Sequence, residues 1–219
     1  MSTRLFRYLL LAVGLCHAAM GSDFIPKGKT IGMITQGPTM TRWDLNYGYS
    51  TKWAIRASRI DWDSNPLDTS LTLQGLQATY VLHRSYTEEG ILNIYLSGGP
   101  LWAAQRLTPE RRAVGFEGII SADYETTQIY LRTVFERFES SISTTQISKA
   151  QVLYAPWESS YARPTLWVGI QAQQMQRTQI ERSLAPMIRI VSRRTWFEAG
   201  IHLAGESRGK IFIQAMYLF

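Results

Sequence analysis

Cysteine is almost missing from this sequence: among 219 residues there is one, Cys16. Beyond that position a disulfide framework, a thiolate metal site and a cysteine nucleophile are all excluded. Long apolar runs are missing as well. The stretch YLLLAVGL (Tyr8 to Leu15) is too short to span a bilayer as a helix, and no later segment offers eighteen continuous apolar residues. Histidine occurs three times, and neither its spacing nor that of the scattered methionines makes a metal site. No cofactor motif is present, and heptads, low-complexity tracts and repeats are absent. The net charge of +6 comes from basic residues scattered singly, without a run of five or a finger or RNP-type motif, which argues against nucleic acid.

What the chain has is apolar and aromatic. Hydrophobic residues make up 45% against 18% charged, a balance that excludes disorder by composition, and the 12% of aromatics need a physical home. At the start, Arg4 and Arg7 precede the apolar core and the small residues of CHAAMGS follow it, which reads as a signal peptide over residues 1–21. The expected cut follows Gly21, with Ala18 and Ala19 as alternatives. Leu15 before Cys16 is too large for a lipoprotein signal.

Past the leader, runs of about ten residues alternate apolar and polar side chains at every second position and are rich in Val, Ile, Leu, Thr, Tyr and Trp. They read as strands over 30–37, 41–49, 53–60, 70–82, 91–98, 113–124, 128–138, 147–157, 165–175, 184–191, 195–203 and 210–219. The breaks alternate in length. STK (50–52), ETT (125–127) and SRR (192–194) are tight, whereas 61–69, 99–112 and 139–146 are longer; 83–90 and 158–164 do not fit. An even number of antiparallel strands with short turns at one end and long loops at the other is the pattern of a transmembrane barrel. Ten residues at ~3.3 Å each, tilted by ~45°, also climb about the ~25 Å height of its apolar band. The expected fold is all-β: a closed antiparallel up-and-down transmembrane β-barrel of about twelve strands, with ten or fourteen as alternatives, over residues 30–219. Residues 22–29 form a short periplasmic segment ahead of it.

The alternation assigns faces. In TRWDLNYGY, Trp43, Leu45, Tyr47 and Tyr49 share one side and Arg42, Asp44 and Asn46 the other. Ile129, Leu131, Thr133 and Phe135 likewise oppose Arg132 and Glu136. Tyr49, Trp53, Tyr124, Tyr130, Trp157, Trp167, Trp196 and Tyr217 gather near the short-turn end, as an aromatic girdle at a membrane interface would. Trp43, Trp62, Trp102 and Phe138 suit a second girdle. Pro186, inside LAPMIRI, predicts a late strand start or a bulge.

The closing run KIFIQAMYLF places Ile211, Ile213, Ala215, Tyr217 and Phe219 on one face. A last strand ending in Phe, with Tyr two residues earlier, resembles the closing signal of Gram-negative outer-membrane β-barrel proteins. The resemblance is to a porin-like class. It implies residence in the bacterial outer membrane, contact with outer-membrane lipids and lipopolysaccharide, and recognition by the barrel assembly machinery through Tyr217 and Phe219. A monomer is the expected state.

Inward charges carry the functional expectation. Arg42, Arg56, Arg132 and Arg189 alternate with Asp44, Glu117, Asp123, Glu136 and Glu198, with His202 inward beyond them. In a wet lumen such a set makes a transverse field that sorts solutes by charge, giving passive diffusion of small hydrophilic or anionic solutes with no catalysis. If mutually neutralised, the same side chains stop up the barrel as a structural anchor, since twelve strands lie between filled and open barrels. A further alternative is a lipid A-modifying esterase. His83, Ser85 and Glu88 or Glu89 supply a base, a hydroxyl and an orienting carboxylate, and the His-x-Ser spacing is similar to that of outer-membrane lipid A deacylases.

Overall fold

Side chains that alternate between apolar and polar need two different surroundings, one on each face of a sheet, and a sheet in lipid can leave no edge unpaired. The computed structural model, which describes residues 25–62, 70–105, 111–158, 163–177 and 179–219, meets both demands. Twelve strands follow in chain order: β1 (Thr30–Gln36), β2 (Met40–Gly48), β3 (Trp53–Trp62), β4 (Leu71–Tyr86), β5 (Gly90–Gln105), β6 (Arg112–Thr126), β7 (Ile129–Ser140), β8 (Thr144–Tyr154), β9 (Thr165–Gln176), β10 (Ile180–Val191), β11 (Thr195–Ile201) and β12 (Ile211–Leu218). Each pairs antiparallel with its sequence neighbours, and β1 pairs with β12 from Ile31↔Leu218 to Gln36↔Ile213, so the sheet closes on itself. The proposed leader, residues 1–21, lies outside the described residues.

The outer face is apolar along every part of the ring. Trp43 and Leu45 on β2, Ile120 on β6, Ile129 and Leu131 on β7, Ile188 and Ile190 on β10 and Ile211 and Ile213 on β12 are all exposed. Their sequence neighbours, such as Arg42, Asp44, Ser121, Arg189 and Gln214, are buried inside. An apolar surface that encircles a closed sheet is far larger than the patches soluble monomers expose, so hydrocarbon is its solvent and the barrel is membrane-embedded.

Two strands run longer than their sequence suggests. HRSY, read as loop, continues β4, because the register shifts between Val81 and His83 and the extra residue lets the strand bend without ending. Past that bulge His83 and Ser85 point outward, while Arg84 turns in and donates to Asn93 Oδ1 at 2.6 Å. The remaining turn is only 87–89, closed by Thr87 and Gly90. Likewise GPLWAAQ belongs to β5. The expected division into short and long ends therefore holds only in part. At the end carrying the termini, four connections are tight and 155–164 is long; at the far end 37–39, 141–143 and 177–179 are tight, while 63–70, 106–111 and 202–210 are longer. Pro186 does not delay β10, which starts at Ile180; lacking an amide hydrogen, it sits where the ladder to β11 has already stopped at Met187↔Gly200.

Close curvature needs missing side chains at several places, most tightly at Gly99 and Gly169. A β-carbon on Gly99 would lie 2.0 Å from Leu76 O, and one on Gly169 would lie 2.0 Å from Val152 O. These are backbone atoms that cannot step aside. Gly169→Val is expected to lose the compact, unheated band on a gel, through overpacking of about 1–3 kcal/mol or more, whereas Ala172→Val, outward on the same strand, keeps it. Equal behaviour of the two variants contradicts the assignment.

Candidate functional site: the barrel lumen

The lumen is defined by the inward half of each alternation, and one side chain crosses it. Arg42 leaves β2, where its Nε donates to both carboxylate oxygens of Asp44 at 3.0 and 2.9 Å. Its Nη1 reaches Glu136 on β7 at 2.7 Å and its Nη2 reaches Glu117 on β6 at 3.2 Å. In the ring order β2 faces β6 and β7 across the interior, so this guanidinium is a bar laid over the bore. Glu117 is wholly buried, and it has room because β4 carries glycine opposite: a β-carbon on Gly75 would meet Glu117 Oε2 at 2.9 Å. Arg56 lies beside the bar and donates to Asn46 at 3.1 Å.

Toward the end with the termini the lumen turns apolar on one side. Arg189 of β10 bonds Glu198 of β11 at 2.5 Å, and its guanidinium carbon stands 4.0 Å from the Tyr130 ring centroid and 4.4 Å from that of Trp196. A desolvated cation held between two aromatic faces gains roughly 2 kcal/mol or more. Trp167, Leu153, Met187, Val191, Met216 and Leu218 pack around it. This corrects the girdle: Tyr130, Trp167 and Trp196 point inward and are almost fully buried. They share the inward parity of Arg132, Gly169 and Glu198, and the inside of the barrel, not the membrane interface, is what they fill. Tyr49, Trp53, Trp157 and Tyr217 are exposed on the outside, and Tyr124 is half-buried between inward Asp123 and Glu125.

Toward the far end a second apolar cluster occupies the opposite wall. Ile60, Trp62, Leu71, Leu73, Leu101 and Phe138 meet there, with Trp62 and Phe138 edge to face at 5.5 Å. Trp62 and Phe138 thus leave the expected second girdle, while Trp43 and Trp102 remain outside.

Because the two clusters sit on different walls, the polar residues between them run obliquely. At the far end, Thr35, Lys149, Gln171, Gln173, Ser183, His202 and Gln214 line a vestibule of about 70 Å³. The bar of Arg42 follows. Beyond it, toward the termini, the wall of β4 to β6 carries polar pairs: Thr79 with Ser97 at 2.8 Å and Asn93 donating to Asp123 at 2.7 Å. Asp123 is also the cross-strand partner of Arg132. Of the expected selectivity residues, Arg42, Asp44, Arg56, Glu117, Asp123, Arg132, Glu136, Arg189, Glu198 and His202 all lie inside, but Arg42 and Arg189 present no free positive charge.

His83 and Ser85 face outward at the end with the termini, with Glu88 and Glu89 in or beside the exposed turn. Among the described residues no three His, Cys, Asp or Glu side chains are grouped to hold a metal ion. Lys149, Gln151 and Gln171 went unnoticed in the sequence, although ISKAQVLY carries the signal: Ile147, Lys149 and Gln151 alternate with Ala150 and Val152.

This architecture has a counterpart among solved structures. A chain named KdgM porin superposes with a TM-score of 0.53 over 87% of this chain and 98% of its own length, at 6% sequence identity. The fold is that of a porin-like outer-membrane β-barrel. A second chain, from the work "Unveiling the Mechanism Behind the in-meso Crystallization of Membrane Proteins", matches with a TM-score of 0.49 and 8% identity over 88% of this chain and 83% of that one. No protein-family model matches, and no curated protein sequence does. At such identities the likeness is one of fold.

Proposed function

We propose that this porin-like barrel is a narrow channel of a Gram-negative outer membrane, through which small hydrophilic solutes pass without turnover. The observation that carries this reading is the oblique polar lane. A barrel built only as an anchor has no need to keep glutamines, serines and paired charges in a continuous file while confining its apolar residues to two separate walls. The lane leads from the vestibule past Arg42 to the polar wall of β4 to β6, and the bar sets the narrowest point. The passage of anions, expected from the arginines, falls to cations other than Arg42 and Arg189, which are each tied to carboxylates.

The outward Tyr217 and Phe219 suit recognition by an assembly machinery. Phe219 donates its amide hydrogen to Thr30 O at 2.9 Å and its ring lies against the space left by Gly32, so the terminal residue belongs to the closing seam. Outer-membrane lipids and lipopolysaccharide are the proposed surroundings of the apolar belt.

One structural feature favours a second reading, a plugged anchor: the bar and the two apolar clusters together fill much of the bore. Single-channel recording in planar bilayers separates the two. The channel reading expects small discrete conductance steps from refolded wild-type protein. Silence from both the wild type and Arg42→Ala contradicts it and leaves the anchor.

A further inference from the structure

Lys149 is a lumen cation outside the ion pairs that hold Arg42 and Arg189. It projects inward from β8, between Ile147 and Gln151, and among the described residues it has neither a hydrogen bond nor an ion pair. Its neighbouring carboxylates, Glu136 and Glu198, are already engaged by Arg42 at 2.7 Å and by Arg189 at 2.5 Å. Arg132 is a like-charged neighbour, and the charge of nearby Arg42 is balanced by its own carboxylates. A lumen ammonium whose neighbouring acids are already bonded elsewhere favours an anion as its partner.

The vestibule above supplies the rest of a site. His202 lines it, 4% exposed, and its Nδ1 is buried with no hydrogen-bond partner. Lys149 is the charged neighbour of that imidazole. The ring is held in place by Phe212, 5.5 Å away between centroids, and by the backbone pair of His202 with Lys210 and Gly209. Gln171 accepts from Gln151 at 2.9 Å, which leaves its own amide hydrogens for the cavity, and Ser183 and Thr35 add hydroxyls. Glu181 and Glu206 also line the vestibule and are each other's charged neighbours, with Lys210 and Arg177 acting on Glu181. At about 70 Å³ the space suits one small oxyanion.

We propose that this vestibule is a mouth subsite for a small oxyanion, the carboxylate or phosphate group of a permeating solute, held by Lys149 with His202 beside it. The proposal rests on the channel reading for its biological meaning, but its test does not need conduction. Refolded protein in detergent is titrated with trifluoroacetate, followed by fluorine NMR, and with methyl phosphate, followed by phosphorus NMR. Wild-type protein is expected to broaden at least one signal saturably, and the tighter probe names the source, carboxylate or phosphate. Lys149→Gln is expected to weaken that binding at least tenfold and Lys149→Arg to retain it, with both variants keeping the compact unheated gel band that reports a closed barrel. Binding unchanged in Lys149→Gln, or no saturable binding of either probe to the wild type, overturns the subsite. A barrel that conducts but binds neither anion contradicts the subsite alone; one that binds but never conducts contradicts the channel and leaves the subsite standing.

Discussion

Arg42→Ala is expected to raise single-channel conductance several-fold and to turn the current toward cations. The guanidinium is the only group described that joins β2 to both β6 and β7 through the lumen, so removing it takes away the bar and leaves Asp44, Glu117 and Glu136 facing an open path. Three carboxylates without their counter-ion attract potassium and repel chloride. The same change leaves buried charge uncompensated, a loss of about 3–5 kcal/mol, so the variant should unfold from lipid at lower urea. Adding Glu117→Gln removes one of the stranded charges, and the double variant should regain part of the stability while keeping the higher conductance. Reversal potentials in a potassium chloride gradient and urea titrations in vesicles read the two effects separately. An Arg42→Ala protein with unaltered conductance and selectivity shows that solutes do not pass the bar.

Ile120→Arg is expected to destabilise the barrel by about 2–4 kcal/mol, the cost of a cation at the bilayer midplane. Ile120 faces outward from the middle of β6, between lumen residues Ile119 and Ser121, and is exposed over 55% of its surface. On a soluble protein an exposed isoleucine tolerates arginine with little change. The contrast makes this substitution a test of what surrounds the barrel. Equilibrium unfolding in vesicles measures it, and a loss below 0.5 kcal/mol, the ordinary range for water-facing sites, contradicts lipid contact at this position.

The twelve strands and the lipid face were legible because a membrane barrel repeats one simple rule, apolar out and polar in, over its whole length. Residue type misleads where it conflicts with parity. As aromatics near a turn, Tyr130, Trp167 and Trp196 suit a membrane interface, yet each shares the inward parity of a polar residue on its own strand: Arg132, Gln171 and Glu198. A narrow barrel needs large side chains to fill its interior, and that demand outweighs the preference of Trp and Tyr for headgroups. The bulge at Val81 and His83 was invisible for another reason. It is fixed by pairing with β5, a contact that no local spacing announces. The bar itself was half legible: parity placed Arg42, Glu117 and Glu136 inside, but only the closed ring brings β2 opposite β6 and β7. Lys149 was missed because SKAQ is weakly apolar on its outward side, so the alternation there is faint.

The central claim is that one face of every strand meets hydrocarbon while the other meets a polar interior, and spin labels along β6 test it most directly. The sequence carries no cysteine past Cys16, so single cysteines can be placed without background at Phe116, Ile120 and Ala122 and at Glu117, Ile119 and Ser121. In vesicles, collision with oxygen, which concentrates in lipid, should be high at the first three positions and low at the second three, rising and falling with every residue. Uniformly low oxygen access at all six positions means that the apolar face is buried against protein, and the membrane barrel is then wrong.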